Sequence, residues 1–84
     1  MPKVEWTKDA IEDLRRLDTP ITKRVLNKIS WFSQHFNTIT PEPLSRELVG
    51  SFKLRISDWR AVYTIETDVI VIHAIGHRKE VYQR

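Results

Sequence analysis

The chain of 84 residues has no cysteine. That excludes a disulfide scaffold, a thiolate nucleophile and a zinc–thiolate cluster, and it points to a reducing, cytoplasmic setting. Glycine is almost as scarce: only Gly50 and Gly76 occur, too few for a glycine-rich phosphate loop. No stretch approaches the roughly 20 apolar residues of a membrane span, and Met1 to Trp6 contains no apolar run that would serve as a signal sequence. His, Asp and Glu show no metal-ligand spacing, and Ser, His and Asp are too scattered for a nucleophilic triad. Repeats, low-complexity segments and internal linkers are missing too. One cytoplasmic domain spanning residues 1–84 is expected, without membrane contact, metal or cofactor.

Charge is present but not blocked into a tail. The net charge of +3 divides into +1 over residues 1–50 (eight Lys/Arg, seven Asp/Glu) and +2 over residues 51–84 (six against four). A useful field must therefore come from where the cations stand, not from their number.

Val4-Glu5-Trp6 reads as a short first strand. Thr7 is placed to cap a helix carrying Ala10, Ile11, Leu14 and Leu17 at helical spacing. Asp18-Thr19-Pro20 ends it and opens a second helix, with Thr19 as cap and Pro20 at the first helical position. Ile21, Val25, Ile29, Phe32 and Phe36 make the apolar stripe of this second helix to about His35. The two helices form a hairpin. Asn37 to Pro43, broken by two prolines, reads as loop, and Leu44 to Val49 as an irregular sheet edge. Ser51–Ile56 and Trp59–Ile65 then form a hairpin around Ser57-Asp58, and the nearly continuous apolar run Val69–Ile75 is a strand buried on both faces. The expected fold class is α+β: a short N-terminal strand and a two-helix hairpin packed on a C-terminal antiparallel β-sheet, whose second face stays partly open.

The hairpin carries the chemistry. In an extended strand Phe52, Leu54 and Ile56 point to one face while Lys53 and Arg55 point to the other. Arg60 on the next strand and Arg78 just past the last one can join them, and both are expected to face solvent. A solvated strand face with cationic edge residues explains any one of these. Four together, three of them arginines with a donor fork that suits phosphate, point to a phosphodiester backbone. The nearest acids in the hairpin are Asp58 and Glu66. His77 can move protons near neutrality, and Tyr82 can stack on a base or bond a phosphate. Each alone is an ordinary surface residue. His73 reads as a core or sheet-face residue, and Trp6, Trp31 and Trp59 as packing residues, with Trp59 also able to stack on a partner. Attack by a ribose 2′-hydroxyl on its own phosphate needs a base, cationic stabilisation and an acid, and such a cluster can supply all three without a metal.

The pattern Phe52-Lys53-Leu54-Arg55-Ile56-Ser57-Asp58-Trp59-Arg60-Ala61-Val62-Tyr63, followed by an apolar strand and Gly76-His77-Arg78-Lys79-Glu80-Val81-Tyr82, resembles the RelE branch of the RelE/ParE toxin superfamily. The resemblance extends over the whole chain. It implies the toxin of a type II toxin–antitoxin pair, an endoribonuclease that cuts messenger RNA in the ribosomal A site and is silenced by a cognate antitoxin protein in a hetero-oligomer. Carried over by position, it makes Lys53, Arg60, Arg78, Tyr82 and His77 the catalytic set. Arg60 and Arg78 would stabilise the cleaved phosphate, Lys53 would orient it or protonate the leaving oxygen, and Tyr82 would align the 2′-hydroxyl. His77 would be base or acid. Arg55, Lys79 and Ser51 would hold RNA, with Ser51 standing where the family often has a further lysine. The tail stops at Arg84 without a further helix, another departure. Two alternatives stay open: a ParE-like toxin that inhibits DNA gyrase without cutting RNA, and a relative that binds RNA without turnover.

Overall fold

The computed structural model describes residues 2–81. The elements are β1 (Lys3–Trp6), α1 (Lys8–Arg15), α2 (Thr19–Gln34), a 3-10 turn (Phe36–Thr38), β2 (Glu42–Pro43), β3 (Phe52–Ile56), β4 (Trp59–Glu66), β5 (Val69–His77) and α3 (Arg78–Val81). The strands form one sheet in the order β1-β5-β4-β3-β2. The fold is α+β as expected, but the sheet is mixed: β1 runs parallel to β5, and the remaining neighbours are antiparallel. A parallel partner needs a long connection, which here runs through both helices to the far edge of the sheet and back through β2, β3 and β4.

Both helix caps are local. Thr7 Oγ1 accepts from the Ala10 amide at 3.1 Å, so α1 opens where the sequence places it, although it ends at Arg15, short of Leu17. For α2 the cap is Asp18, not Thr19: Asp18 Oδ1 accepts from the Ile21 amide at 3.1 Å, and Pro20 lies within the first turn. The expected loop from Asn37 to Pro43 holds the 3-10 turn and ends in β2. It is this short strand, not Leu44–Val49, that forms the sheet edge. Residues 44–51 instead loop back, with the Leu44 amide donating to Ser51 O at 2.9 Å and Leu44 itself buried. Past β5 the chain does enter a helix, the single turn α3.

The core lies between the helices and one sheet face. Val25, Ile29 and Phe32 of α2 and Ala10 of α1 pack with Ile56, Ala61, Tyr63, Ile70, Ile72 and Ile75. Phe32 meets Tyr63 edge-on at 5.1 Å. A bulge in β5 explains how its apolar run serves two faces. Tyr63 pairs with Ile72 but Val62 with Ala74, which leaves His73 as the extra residue. Beyond the bulge Ile75 keeps facing the helices opposite Ala61, while Ala74 and Gly76 turn to the open face. His73 Nε2 lies 2.8 Å from Thr64 Oγ1, a half-buried sheet residue as read.

Where β1 ends, β5 would present an unpaired edge. The Thr7 amide donates to Ile72 O at 3.0 Å, Thr7 Oγ1 donates to His73 O at 3.3 Å, and the buried Asp13 of α1 accepts from the Ile75 amide at 3.0 Å. The backbone and side chain of the cap Thr7, with the side chain of Asp13 in α1, thus continue the ladder that the first strand began.

Candidate phosphodiester-binding face

The pairing register brings cations together on the face away from the helices. Arg55 stands directly opposite Arg60, and Lys53 opposite Val62. Like charges placed directly across strands destabilise a sheet unless something offsets them. Two different devices do so.

The first is Glu42, which sequence reasoning missed. It pairs across the β2–β3 ladder with Lys53, and its carboxylate lies 3.2 Å from Lys53 Nζ. Arg55 engages it with a fork: Nε donates to Oε1 at 2.9 Å and Nη2 to Oε2 at 2.7 Å. The bonds from Arg55, helped by Lys53, hold the Glu42 carboxyl below the usual carboxylate range against a smaller opposing effect of burial. No signal in the sequence marks Glu42, because it is 11 residues from Lys53 and stands between two prolines, in a two-residue strand of which Pro43 is the other member.

The second device acts on Arg60. Contrary to the solvent-facing position expected for it, Arg60 is only 7% exposed. Its guanidinium folds back over the hairpin turn, and Nη1 donates to Ser57 O and to Trp59 O, both at 2.8 Å. Its cross-strand neighbour on β5 is Gly76, which has no side chain to compete for the space. Among the described residues its Nε is buried without a hydrogen-bond partner and no carboxylate pairs with it. Among the described residues the charge of Arg60 is therefore held by the carbonyl dipoles of Ser57 and Trp59.

Arg78 is exposed at the start of α3, and its amide donates to Asp58 O at 2.8 Å, which pins α3 beside the hairpin turn. His77 lies elsewhere. Paired opposite Trp59, it faces the helix side, its ring edge-on to Trp59 at 5.7 Å and Nδ1 accepting from the Lys79 amide at 3.3 Å. The structure thus gathers Lys53, Arg55 and Arg60 on one face with Glu42 and does not bring the His77 ring to them. Lys79 is exposed on α3. Ser51 is half-buried at the end of the 44–51 loop, where it lines a cavity of about 260 Å³ with Leu48, Val62, Thr64 and His73. Tyr82 lies outside the described residues. Among the described residues no three His, Asp or Glu side chains come together as a metal site would require.

Beyond Glu42 the chain stops pairing with β3, and a cavity of about 290 Å³ opens there between α2 and β3. Lys28, Trp31 and Phe32 of α2, Glu42, Lys53, Arg55 and Tyr63 contribute to its wall. Burial, with a smaller contribution from the Glu42 charge, pushes the Tyr63 phenol up to about 12, so it remains a neutral hydroxyl at physiological pH.

Residues 4–82 match the family model for the ParE toxin of type II toxin–antitoxin systems, parDE. The chain belongs to the RelE/ParE superfamily of type II toxins. This toxin is 30% identical over 83 residues to Toxin RelG of Mycobacterium tuberculosis, a match covering 96% of this chain and 95% of the relative. Its fold superimposes with a TM-score of 0.79 on a chain of the toxin–antitoxin complex RelBE2 from Mycobacterium tuberculosis, at 30% identity over 93% of this chain and 100% of the other. The isolated Escherichia coli RelE toxin shares the fold at a TM-score of 0.75 and 18% identity, covering 99% of this chain and 93% of that one.

Proposed function

We propose that this toxin is a metal-independent endoribonuclease that cuts messenger RNA in the ribosomal A site, in the cytoplasm, and is silenced by a cognate antitoxin protein in a hetero-oligomer. The observation that carries the reading is the row Lys53, Arg55 and Arg60 on one sheet face, with no carboxylate paired to Arg60 among the described residues. A phosphate is the anion that such a row fits. Arg60 and Arg78 would bond its oxygens, and Arg55 would exchange its fork from the Glu42 carboxylate to the backbone.

The chemistry then balances within the site. The 2′-hydroxyl oxygen forms a bond to the neighbouring phosphorus while the bond to the 5′-oxygen breaks, leaving a 2′,3′-cyclic phosphate and a 5′-hydroxyl. With Arg55 moved to the phosphate, the Glu42 carboxylate loses the bonds that most depress its basicity and can take the 2′-hydroxyl proton, and the Lys53 ammonium can give one to the leaving oxygen. Tyr82 keeps the aligning role that the resemblance gives it. His77, turned to the other face, supports α3 and through it Arg78. The kinship with RelG and the shape shared with the RelBE2 complex support both the nuclease reading and the antitoxin partner.

A second reading is favoured by one finding: the family model that matches is described as the ParE toxin, and a ParE-like toxin would inhibit DNA gyrase and cut no RNA. Translating ribosomes and gyrase supercoiling assays, run in parallel with the purified toxin, separate the two. Cleavage that persists in chelator and leaves a cyclic phosphate supports the nuclease. Intact message with blocked supercoiling overturns it.

A further inference from the structure

Trp31 is a large aromatic residue left 44% exposed on α2, whereas Trp6 and Trp59 pack against the core. It is also ordered by its neighbours. The His35 ring stacks on the indole with centroids 4.5 Å apart and planes 20° apart, and His35 Nδ1 lies 2.8 Å from Trp31 O. The Lys28 ammonium sits 4.4 Å from the indole centroid. Trp31, Lys28 and Arg55 all line both the cavity of about 290 Å³ described above and a second of about 440 Å³ that continues past Arg24 and Asn27 to Ser57. The two hollows are therefore one trough between α2 and β3. Among the described residues its lining includes Arg24, Lys28, Lys53 and Arg55 against the single carboxylate of Glu42.

A surface that combines a cationic track with an aromatic face fits single-stranded nucleic acid, which offers both phosphates and bases. A purely acidic peptide would satisfy the cations and leave the indole without a counterpart. Lys53 and Arg55 line the trough at the edge of β3 that β2 leaves uncovered beyond Lys53, while their side chains stand in the phosphate row, so trough and row meet around that edge and a strand held in one can run on into the other.

We propose that the α2–β3 trough is a track for the RNA next to the cleaved phosphate, and that one base in it stacks on Trp31. This rests on the RNA-cutting reading above and adds a base-binding station to it. The incoming base takes the place of the Lys28 ammonium over the indole, and the ammonium moves to a phosphate. The exchange is favourable because a base stacked on an aromatic side chain is worth more than a cation–π contact at an exposed site.

The probe is a short fluorescent 2′-O-methyl RNA, which cannot be cleaved, titrated by anisotropy against the wild-type toxin and three variants at several salt concentrations. Trp31→Ala is expected to weaken binding about 5- to 100-fold with an unchanged salt slope, and Trp31→Phe to recover most of it. Lys28→Ala is expected to reduce the log–log salt slope by about 0.7, the signature of one lost phosphate contact on a single strand. An oligonucleotide lacking bases should not distinguish wild type from Trp31→Ala. Trp31→Ala binding within twofold of wild type, or no binding by the wild type, overturns the proposal. So does polyglutamate binding that depends on Trp31, which would make the trough a protein site. Thermal melts of each variant check that the fold is intact. A toxin that binds through Trp31 but never cuts refutes the nuclease reading alone, whereas one that cuts with Trp31 irrelevant refutes this proposal alone.

Discussion

Arg60→Ala should damage the fold as well as the activity, and the size of the damage follows from the contacts. The wild-type guanidinium makes two 2.8 Å hydrogen bonds to Ser57 O and Trp59 O from a side chain only 7% exposed. Hydrogen bonds to a charged group contribute about 1.5–3 kcal/mol each, and both are lost in alanine. Two effects reduce that sum. The repulsion from Arg55 directly opposite is relieved, which returns about 0.2–1 kcal/mol. The desolvation of the buried charge also disappears. A net destabilisation of about 2–3 kcal/mol is expected, or a fall of about 10–20 °C in the melting midpoint of so small a domain. Arg60→Lys, which keeps the charge and can reach one carbonyl, should lose about half as much. Urea unfolding of the three proteins measures the stability. Single-turnover cleavage, at a temperature where all are folded, should then show a further loss of about 100- to 1000-fold for alanine. A destabilisation below about 1 kcal/mol would mean that the guanidinium is not anchored at the turn, and the reasoning from its burial would fail.

Arg78→Ala removes an exposed side chain, so its melt should match wild type within about 0.5 kcal/mol while cleavage falls about 100-fold or more; a melt that drops with activity intact would make it structural. Tyr63 gives an alkaline signature. Because its folded pKa is raised to about 12, its contribution is complete below the unfolded value near 10 and is lost as pH climbs toward 12. Wild-type stability should fall by about 2–3 kcal/mol more than that of Tyr63→Phe across that window in urea titrations, and equal slopes would contradict the assignment. Asp13→Ala leaves the Ile75 amide without its acceptor and should cost about 1–3 kcal/mol, with Asn milder and the loss visible as faster exchange of that amide; unchanged protection would refute it. Thr67, a β-branched residue at φ 55, should gain about 0.5–1 kcal/mol on replacement by Gly, which a differential melt will confirm or reject.

The sequence by itself determined the order of β1, the two long helices and the strands β3 to β5, the cap at Thr7, the apolar stripe of α2 and the two faces of β3, because each rests on the spacing of neighbouring residues. It also determined the family, through the motifs from Phe52 to Tyr63 and from Gly76 to Tyr82. Tertiary structure decided what the charges meet. Glu42 is remote in sequence from Lys53 and Arg55, and only the pairing of a two-residue strand sets its carboxylate between them. Alternation correctly put Arg60 opposite the core face, but a period of two says nothing about where a long side chain goes once it leaves the strand. Its burial depended on the turn carbonyls beside it and on Gly76 across from it. The β5 bulge had the same effect at longer range. One extra residue at His73 shifted the facing of everything after it, which put Gly76 beside Arg60 and turned His77 to the other side of the sheet. A one-residue offset in pairing reverses the face of every later side chain, and that offset is fixed by contacts between strands, not within one.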